Sequence, residues 1–145
     1  MYKHILIPTD GSELSGKAIR QGVALARIFG AGVTVLTVSP TFHNLALDPV
    51  MVTDTPEQYR KDCEARAEKY LGAARVEAGI AGVPCELEHV VHDHPFQVIV
   101  DTAAAKHCDL IVMASHGRRG MAGVLLGSET TKVLTHTKVP VLVCR

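Results

Sequence analysis

Residues 109–144 read DLIVMASHGRRGMAGVLLGSETTKVLTHTKVPVLVC, and this stretch decides the fold that we predict. An apolar strand over 109–113 leads into a loop that carries Gly117, and nine residues separate that glycine from Gly127. A helix is predicted over about 128–136, followed by a last strand at 139–144. Glycine lets backbone N–H groups approach a ligand closely, and a helix N-terminus attracts anions. The loop therefore predicts a phosphate site and, with it, a nucleotide.

The rest of the chain alternates in the same way. Further strands are predicted at 4–9, 33–38 and 86–91, and further helices at 13–29, 56–78 and 95–106. Alternating strands and helices predict one α/β domain over residues 1–145, with an open, mostly parallel five-stranded sheet and helices on both faces, a Rossmann-like arrangement. Ligands of such sheets bind beyond the carboxyl ends of the strands, where the strand order reverses. Pro8-Thr9-Asp10 and the glycine loop are therefore expected to face one crevice.

Capping residues set the predicted helix boundaries. Ser12 and Thr55 are predicted N-caps. Gly30 and Gly32 are predicted to end the first of these helices, and Gly79 the second. Ser128 is predicted to be the N-cap of the last helix, a role that is compatible with binding phosphate.

Composition excludes several classes of protein. Lys and Arg number 15 and Asp and Glu also number 15, so the formal net charge is zero and predicts neither a nucleic-acid nor a membrane partner. No apolar run approaches the length of a membrane span. The 4 cysteines form no Cys-x-x-Cys pair and are expected to be buried free thiols of a cytoplasmic protein.

The C-terminal part of the chain is nevertheless cationic. After residue 114 a single acidic residue, Glu129, stands among several bases: Arg118, Arg119, Lys132, Lys138 and Arg145. This excess suits an anion site, and it is equally typical of a solvated basic rim.

The sequence resembles the universal stress protein family along its whole length, through ILIPTDGS, VTVLTVSP, DLIVMASHGR and LLGSETTKVL. The resemblance implies the strand order 3-2-1-4-5 and the ATP-binding branch, whose signature is Gly-x2-Gly-x9-Gly-Ser/Thr. Gly117, Gly127 and Ser128 match that signature, while Ala114 replaces its first glycine.

The predicted cofactor is ATP or another adenine nucleotide, with Mg²⁺ possible at Asp10. The residues expected to contact it are Pro8, Thr9, Asp10, Val38, Met113, Ala114, His116, Gly117, Arg118, Gly127, Ser128, Glu129 and Thr130. Alternatives remain for several of them. The glycines are also typical of turns, His116 of a loop-positioning residue, Arg118 and Arg119 of a solvated loop, and Thr130 of a surface position.

The sequence gives less support to a metal site and to catalysis. His89, His92 and His94 invite a metal site, but strand alternation turns His89 and His92 to opposite faces. A phosphate-loop lysine motif and a nucleophile elbow are both absent from the sequence. ATP binding with slow hydrolysis at most is therefore expected.

Three functions follow from these patterns. The first is a nucleotide-binding stress or regulatory module, with residues 39–54 as a candidate lid. The second is an ATPase or phosphotransferase, and the third is a nucleotide-free dimeric interaction protein. In the implied topology strand 5 lies at a sheet edge, and the resemblance implies a homodimer formed through its Val139, Val141 and Val143.

Overall fold

The computed structural model describes residues 1–45, 55–118, 120, 123 and 125–145. The strands are β1 (His4–Pro8), β2 (Gly32–Ser39), β3 (Cys85–Val91), β4 (Leu110–Ala114) and β5 (Val141–Cys144). The helices are α1 (Glu13–Phe29), α2 (Phe42–Leu45), α3 (Pro56–Ala81), α4 (Pro95–Ala105) and α5 (Ser128–His136). Candidate lid residues 46–54 lie outside the described part of the chain.

The strands form one parallel five-stranded sheet in the order β3-β2-β1-β4-β5. This confirms the predicted strand order and the predicted α/β fold. The order reverses between β1 and β4, which pair through Ile5 with Leu110 and Leu6 with Ile111. Because α1 leaves β1 toward one face and α5 leaves β4 toward the other, a crevice opens between their starts.

Strand alternation divides the core into two layers. Ile5, Ile7 and Val112 pack against α1 and α3 on one face, whereas Leu6 and Ile111 pack against α4 and α5 on the other. All of these side chains are almost fully buried. Helices therefore cover both faces, as the apolar strands require.

Local capping explains where the first helices begin. The Ser12 hydroxyl accepts the Ser15 N–H and the Thr55 hydroxyl accepts the Gln58 N–H, so both predicted N-caps are confirmed. The predicted end at Gly79 is wrong. Helix α3 continues to Ala81 because Gly82 adopts the left-handed conformation (φ +69°) that closes the last turn.

One further helix and one further strand boundary differ from the sequence prediction. Helix α2 was not predicted, and β5 begins at Val141 because Pro140, which cannot donate to a strand ladder, precedes it. Val139 therefore lies before the strand, although it still packs against the α4 and α5 layer. No helix in the described ranges has the length and apolarity needed to cross a bilayer.

Candidate functional site

A cleft of about 650 Å³ lies beyond the carboxyl ends of β1, β2 and β4, within the size range of small-molecule sites. It brings together every residue predicted to contact a nucleotide. These are Pro8, Thr9, Asp10, Val38, Met113, Ala114, His116, Gly117, Arg118, Gly127, Ser128, Glu129 and Thr130. Arg119 lies outside the described residues.

The turn after β1 is held by its own side chains. The buried Thr9 hydroxyl accepts the Gly11 N–H at 3.2 Å and shares a 3.0 Å hydrogen bond with the Ser15 hydroxyl. Asp10 Oδ1 accepts the Ser12 N–H at 3.0 Å, which gives the turn an Asx geometry just before α1. Asp10 is thus oriented by backbone contacts rather than left free in solvent.

The ionisation of Asp10 follows from the same contacts. Burial opposes the charged form, but hydrogen bonds from Ser12, Arg118 and Ser15 outweigh it and hold the pKa of this carboxyl below its usual value. Asp10 is therefore an anion at neutral pH. As a Mg²⁺ ligand it would supply one carboxylate, and phosphate oxygens and waters would have to supply the rest of an octahedral shell.

The glycine loop closes on itself and against Asp10. The Ser115 carbonyl accepts the Gly127 N–H at 2.6 Å, which joins the two ends of the loop. A Cβ on Gly117 would overlap Asp10 Oδ2, and a Cβ on Gly127 would lie 3.1 Å from His116 Cα. A side chain at Gly117 would therefore displace the Asp10 carboxylate and one at Gly127 would crowd the loop backbone, whether or not a ligand is bound.

His116 acts within the loop. Its Nδ1 shares a 3.1 Å hydrogen bond with the Ser115 hydroxyl. Its ring lies so close to Gly120 that a Cβ there would overlap His116 Cδ2. This geometry supports the interpretation of His116 as a loop-positioning residue.

Arg118 bonds to the turn after β1. Its backbone N–H donates to Asp10 Oδ2 at 2.7 Å, its Nε donates to the Asp10 carbonyl at 2.9 Å, and its Nη2 donates to the Gly11 carbonyl at 3.2 Å. Arg118 is therefore exposed, as a solvated loop residue would be, but its side chain is also held by two carbonyl groups of the turn after β1.

The N-terminus of α5 opens into the cleft. The prediction that Ser128 is the N-cap is wrong: Gly127 holds that position in extended conformation, and Ser128 is the first helical residue. The first N–H groups of a helix have no acceptor within the helix, so they and the Ser128 hydroxyl suit an anion.

Thr130 is only 3 % exposed and donates to the Ala114 carbonyl at 2.9 Å, so the surface interpretation of this threonine is wrong.

Glu129 has a structural partner outside its own helix. Its Oε2 accepts the Phe96 N–H at 2.9 Å in the first turn of α4. Within the described chain, the N-cap residue His94 makes no side-chain capping bond, so Glu129 supplies an acceptor to that turn from a different helix. This bond ties α5 to α4 along one wall of the cleft.

Apolar residues of β2 and β4 and the turn after β3 also line the cleft. Val38 and Met113 line the cleft, and so do residues that sequence reasoning missed: Ser15, Leu36, Pro40, His92, Asp93, Pro95, Ile99 and Gly120. Leu36 shares a strand face with Val38, so strand alternation already contained that signal. Among the described residues no group of three His, Cys, Asp or Glu side chains is placed to hold a metal ion, and His89 bonds instead to the Ser39 hydroxyl at 2.9 Å.

Comparison with known proteins assigns the family. Universal stress protein MJ0531 of Methanocaldococcus jannaschii is 32% identical over 145 residues, which cover 100% of this chain and 83% of that protein. The solved structure of MJ0577 from the same organism superposes with a TM-score of 0.84 at 28% identity, covering 99% of this chain and 96% of the other.

Two further solved neighbours are complexes with adenine nucleotides. A universal stress protein in complex with cAMP has a TM-score of 0.74 at 23% identity, covering 99% of this chain and 97% of that one. One from Archaeoglobus fulgidus in complex with dAMP has a TM-score of 0.72 at 21% identity, covering 99% and 98%. The sequence profile of the Universal stress protein family matches residues 1–145. The chain therefore belongs to the Universal stress protein family.

Proposed function

We propose that this chain binds an adenine nucleotide, ATP in particular, in the cleft between β1 and β4 and acts as a cytoplasmic stress-response module. The observation that carries the proposal is the convergence of the predicted contact residues, from separate strands and the glycine loop, on one cleft of about 650 Å³. The cAMP and dAMP complexes of related proteins support the choice of adenine.

The chemistry of the cleft suits the two ends of a nucleotide. Val38 and Met113 offer apolar contact to a base at the ends of β2 and β4. Ser128 and the first turn of α5 offer hydrogen-bond donors and a favourable helix dipole to phosphates. Asp10, an anion between these ends, suits a ribose hydroxyl or a Mg²⁺ that accompanies the phosphates.

The test begins with the protein purified without added nucleotide. The denatured supernatant is analysed by mass spectrometry, and Mg-ATP is titrated into nucleotide-free protein by calorimetry. Recovered or titrated adenine nucleotide supports the proposal. Absence of both leaves the nucleotide-free interaction protein, and recovery of ADP alone favours slow hydrolysis.

Ser128→Asp is the sharpest variant for placing the phosphates. A carboxylate at the first position of α5 is compatible with the helix, but beside a phosphate it is expected to weaken ATP binding by about tenfold or more. Ser128→Asn is the matched neutral control. Equal affinity of both variants would show that the phosphates lie elsewhere. Gly127→Val is less informative, because its Cβ meets His116 at 3.1 Å without any ligand.

Ala114 tests the departure from the family signature. Its side chain lines the cleft at the end of β4. Ala114→Gly is expected to tighten ATP binding if the methyl group crowds the ligand, and to lower stability by about 0.5–1 kcal/mol because glycine weakens a strand. Calorimetry and thermal unfolding on the same samples separate these two effects.

The proposed module is a homodimer through the edge strand β5 and the predicted contact residues Val139, Val141 and Val143. This strand lies at the edge of the sheet, and the side chain of its Leu142 is 40% exposed. An exposed apolar edge strand of this kind is suited to pairing with a second copy of the chain. Leu142→Glu is expected to yield monomers in analytical ultracentrifugation. Dimers that persist in this variant would require another interface.

A further inference from the structure

Arg118 connects two loops that are far apart in the sequence. Its guanidinium donates to the carbonyl groups of Asp10 (2.9 Å) and Gly11 (3.2 Å), and its backbone N–H donates to Asp10 Oδ2 (2.7 Å). The guanidinium therefore spans two consecutive carbonyls of the β1–α1 turn, while its own backbone is held by the carboxylate in the same turn. The planar fork of an arginine is suited to such paired acceptors.

We call this set of contacts between Arg118 and the β1–α1 turn the junction. The ring of Tyr70, on α3, packs against it. The Arg118 Cζ is 5.2 Å from the centre of the Tyr70 ring, within cation–π distance. The same ring lies against Gly11, where a Cβ would overlap its Cε1 atom and where φ is +76°. Tyr70 thus contacts both partners of the junction, and it is not among the residues that line the cleft.

We propose that Tyr70 and Arg118 are positioning residues that hold the glycine loop and Asp10 at the separation a nucleotide requires. This inference rests on the proposed function and assigns Arg118 to the protein rather than to the phosphates. The two loops follow the neighbouring strands β1 and β4, but the pairing of these strands ends at Leu6 and Ile111, several residues before the atoms that meet at Arg118. The Arg118 guanidinium, packed on the Tyr70 ring, orders the two loops before the ligand binds. The loops therefore lose less conformational entropy on binding.

The experiment measures Mg-ATP affinity by calorimetry in Arg118→Lys, Arg118→Met, Tyr70→Leu and the Tyr70→Leu/Arg118→Met double variant. Arg118→Lys keeps the charge but not the fork, so it and Arg118→Met are expected to lose similar affinity, about tenfold. Tyr70→Leu is expected to lose a comparable factor, and the double variant little more than either single one. The conservative Tyr70→Phe variant keeps the ring and is expected to bind Mg-ATP as tightly as the unsubstituted protein. Arg27→Lys, at an exposed position of α1, is the unrelated control.

Two results would overturn the inference. In one, Arg118→Lys retains affinity and Arg118→Met loses it more for ATP than for AMP, which identifies Arg118 as a direct phosphate ligand. In the other, Tyr70→Leu binds ATP as tightly as the unsubstituted protein.

A ligand-free measurement separates this inference from the proposed function. Amide hydrogen exchange at residues 115–118 is expected to be faster in Tyr70→Leu than in Tyr70→Phe, even if no adenine nucleotide binds to any form. Equal exchange in the two variants would contradict the junction itself, whereas absence of nucleotide binding with unequal exchange would contradict only the proposed function.

Discussion

Asp10→Asn is the perturbation that tests the geometry of the cleft most directly. Oδ1 accepts the Ser12 N–H at 3.0 Å and Oδ2 accepts the Arg118 N–H at 2.7 Å, so both carboxylate oxygens are used. Asparagine retains one oxygen and places an NH₂ group opposite the other N–H. The loss of one acceptor for a partly buried donor costs about 1–3 kcal/mol.

The expected change in stability has a defined pH dependence. The folded pKa of Asp10 lies below its usual value of 3.8, so folding favours the ionised form. Its contribution to the free energy of unfolding is therefore complete above the usual pKa and is lost as pH falls through the lower folded pKa. Protonated Asp10 offers one free oxygen and one O–H, much as asparagine offers one oxygen and one NH₂, so the difference between the two proteins should disappear in acid.

Urea unfolding followed by circular dichroism measures this difference. At about pH 7 the variant is expected to be about 2 kcal/mol less stable, with a midpoint of thermal unfolding lower by roughly 4–8 °C. The two curves should converge only as the pH falls below the folded pKa of Asp10, which itself lies below 3.8. Asp101→Asn, at an exposed position of α4, is the matched control and should have little effect at any pH. A difference that stays constant across this range, or no destabilisation near neutral pH, would refute the reasoning.

Three further predictions concern contacts within the protein that exist without a ligand. Glu129→Ala removes the acceptor of the Phe96 N–H and is expected to lower the free energy of unfolding by about 1 kcal/mol in urea titration; an unchanged value would mean that water replaces it. Gly22→Ala places a Cβ 2.5 Å from the buried side chain of Ile7 in β1 and should lower the free energy of unfolding by about 1–3 kcal/mol. Gly79→Ala in α3 meets nothing within 4 Å and should raise the free energy of unfolding by about 0.5–1 kcal/mol. The reverse order of stabilities would contradict the helix packing. Burial raises the pKa of the Cys108 thiol to about 11, so about a thousandth of it is thiolate at about pH 8, and iodoacetamide should modify it only after unfolding, as peptide mass mapping would show.

The sequence predicted most of the fold because its determinants are local. The hydroxyls of Ser12 and Thr55 cap helices that begin one residue later, so a few neighbouring residues contain the signal. Alternation of strands and helices limits the sheet to a parallel arrangement. The reversal between β1 and β4 then placed the predicted site residues at one cleft, since the carboxyl ends of adjacent parallel strands lie together.

The errors arise where a neighbour in space overrides a local preference. Gly79 is a plausible helix end, but α3 continues through Ala81, which packs against the core, and ends only at the left-handed Gly82. Ser128 is a good capping residue, yet the bond from the Gly127 N–H to the Ser115 carbonyl holds Gly127 at the cap position. Thr130 is buried because α5 packs its first turn against the end of β4.

The amino-acid sequence by itself determined the five strands and the four longer helices, the strand order through family resemblance, and most of the residues that meet at the cleft. Only the tertiary structure decided what those residues do. Arg118 bonds to residues 108 and 107 positions away, Glu129 bonds to a helix 33 positions away, and Tyr70 touches both sides of a junction without lining the cleft. The physical reason is that a hydrogen bond or ring contact depends on distance and direction in space, and hydrophobic periodicity carries no information about either for residues in separate loops.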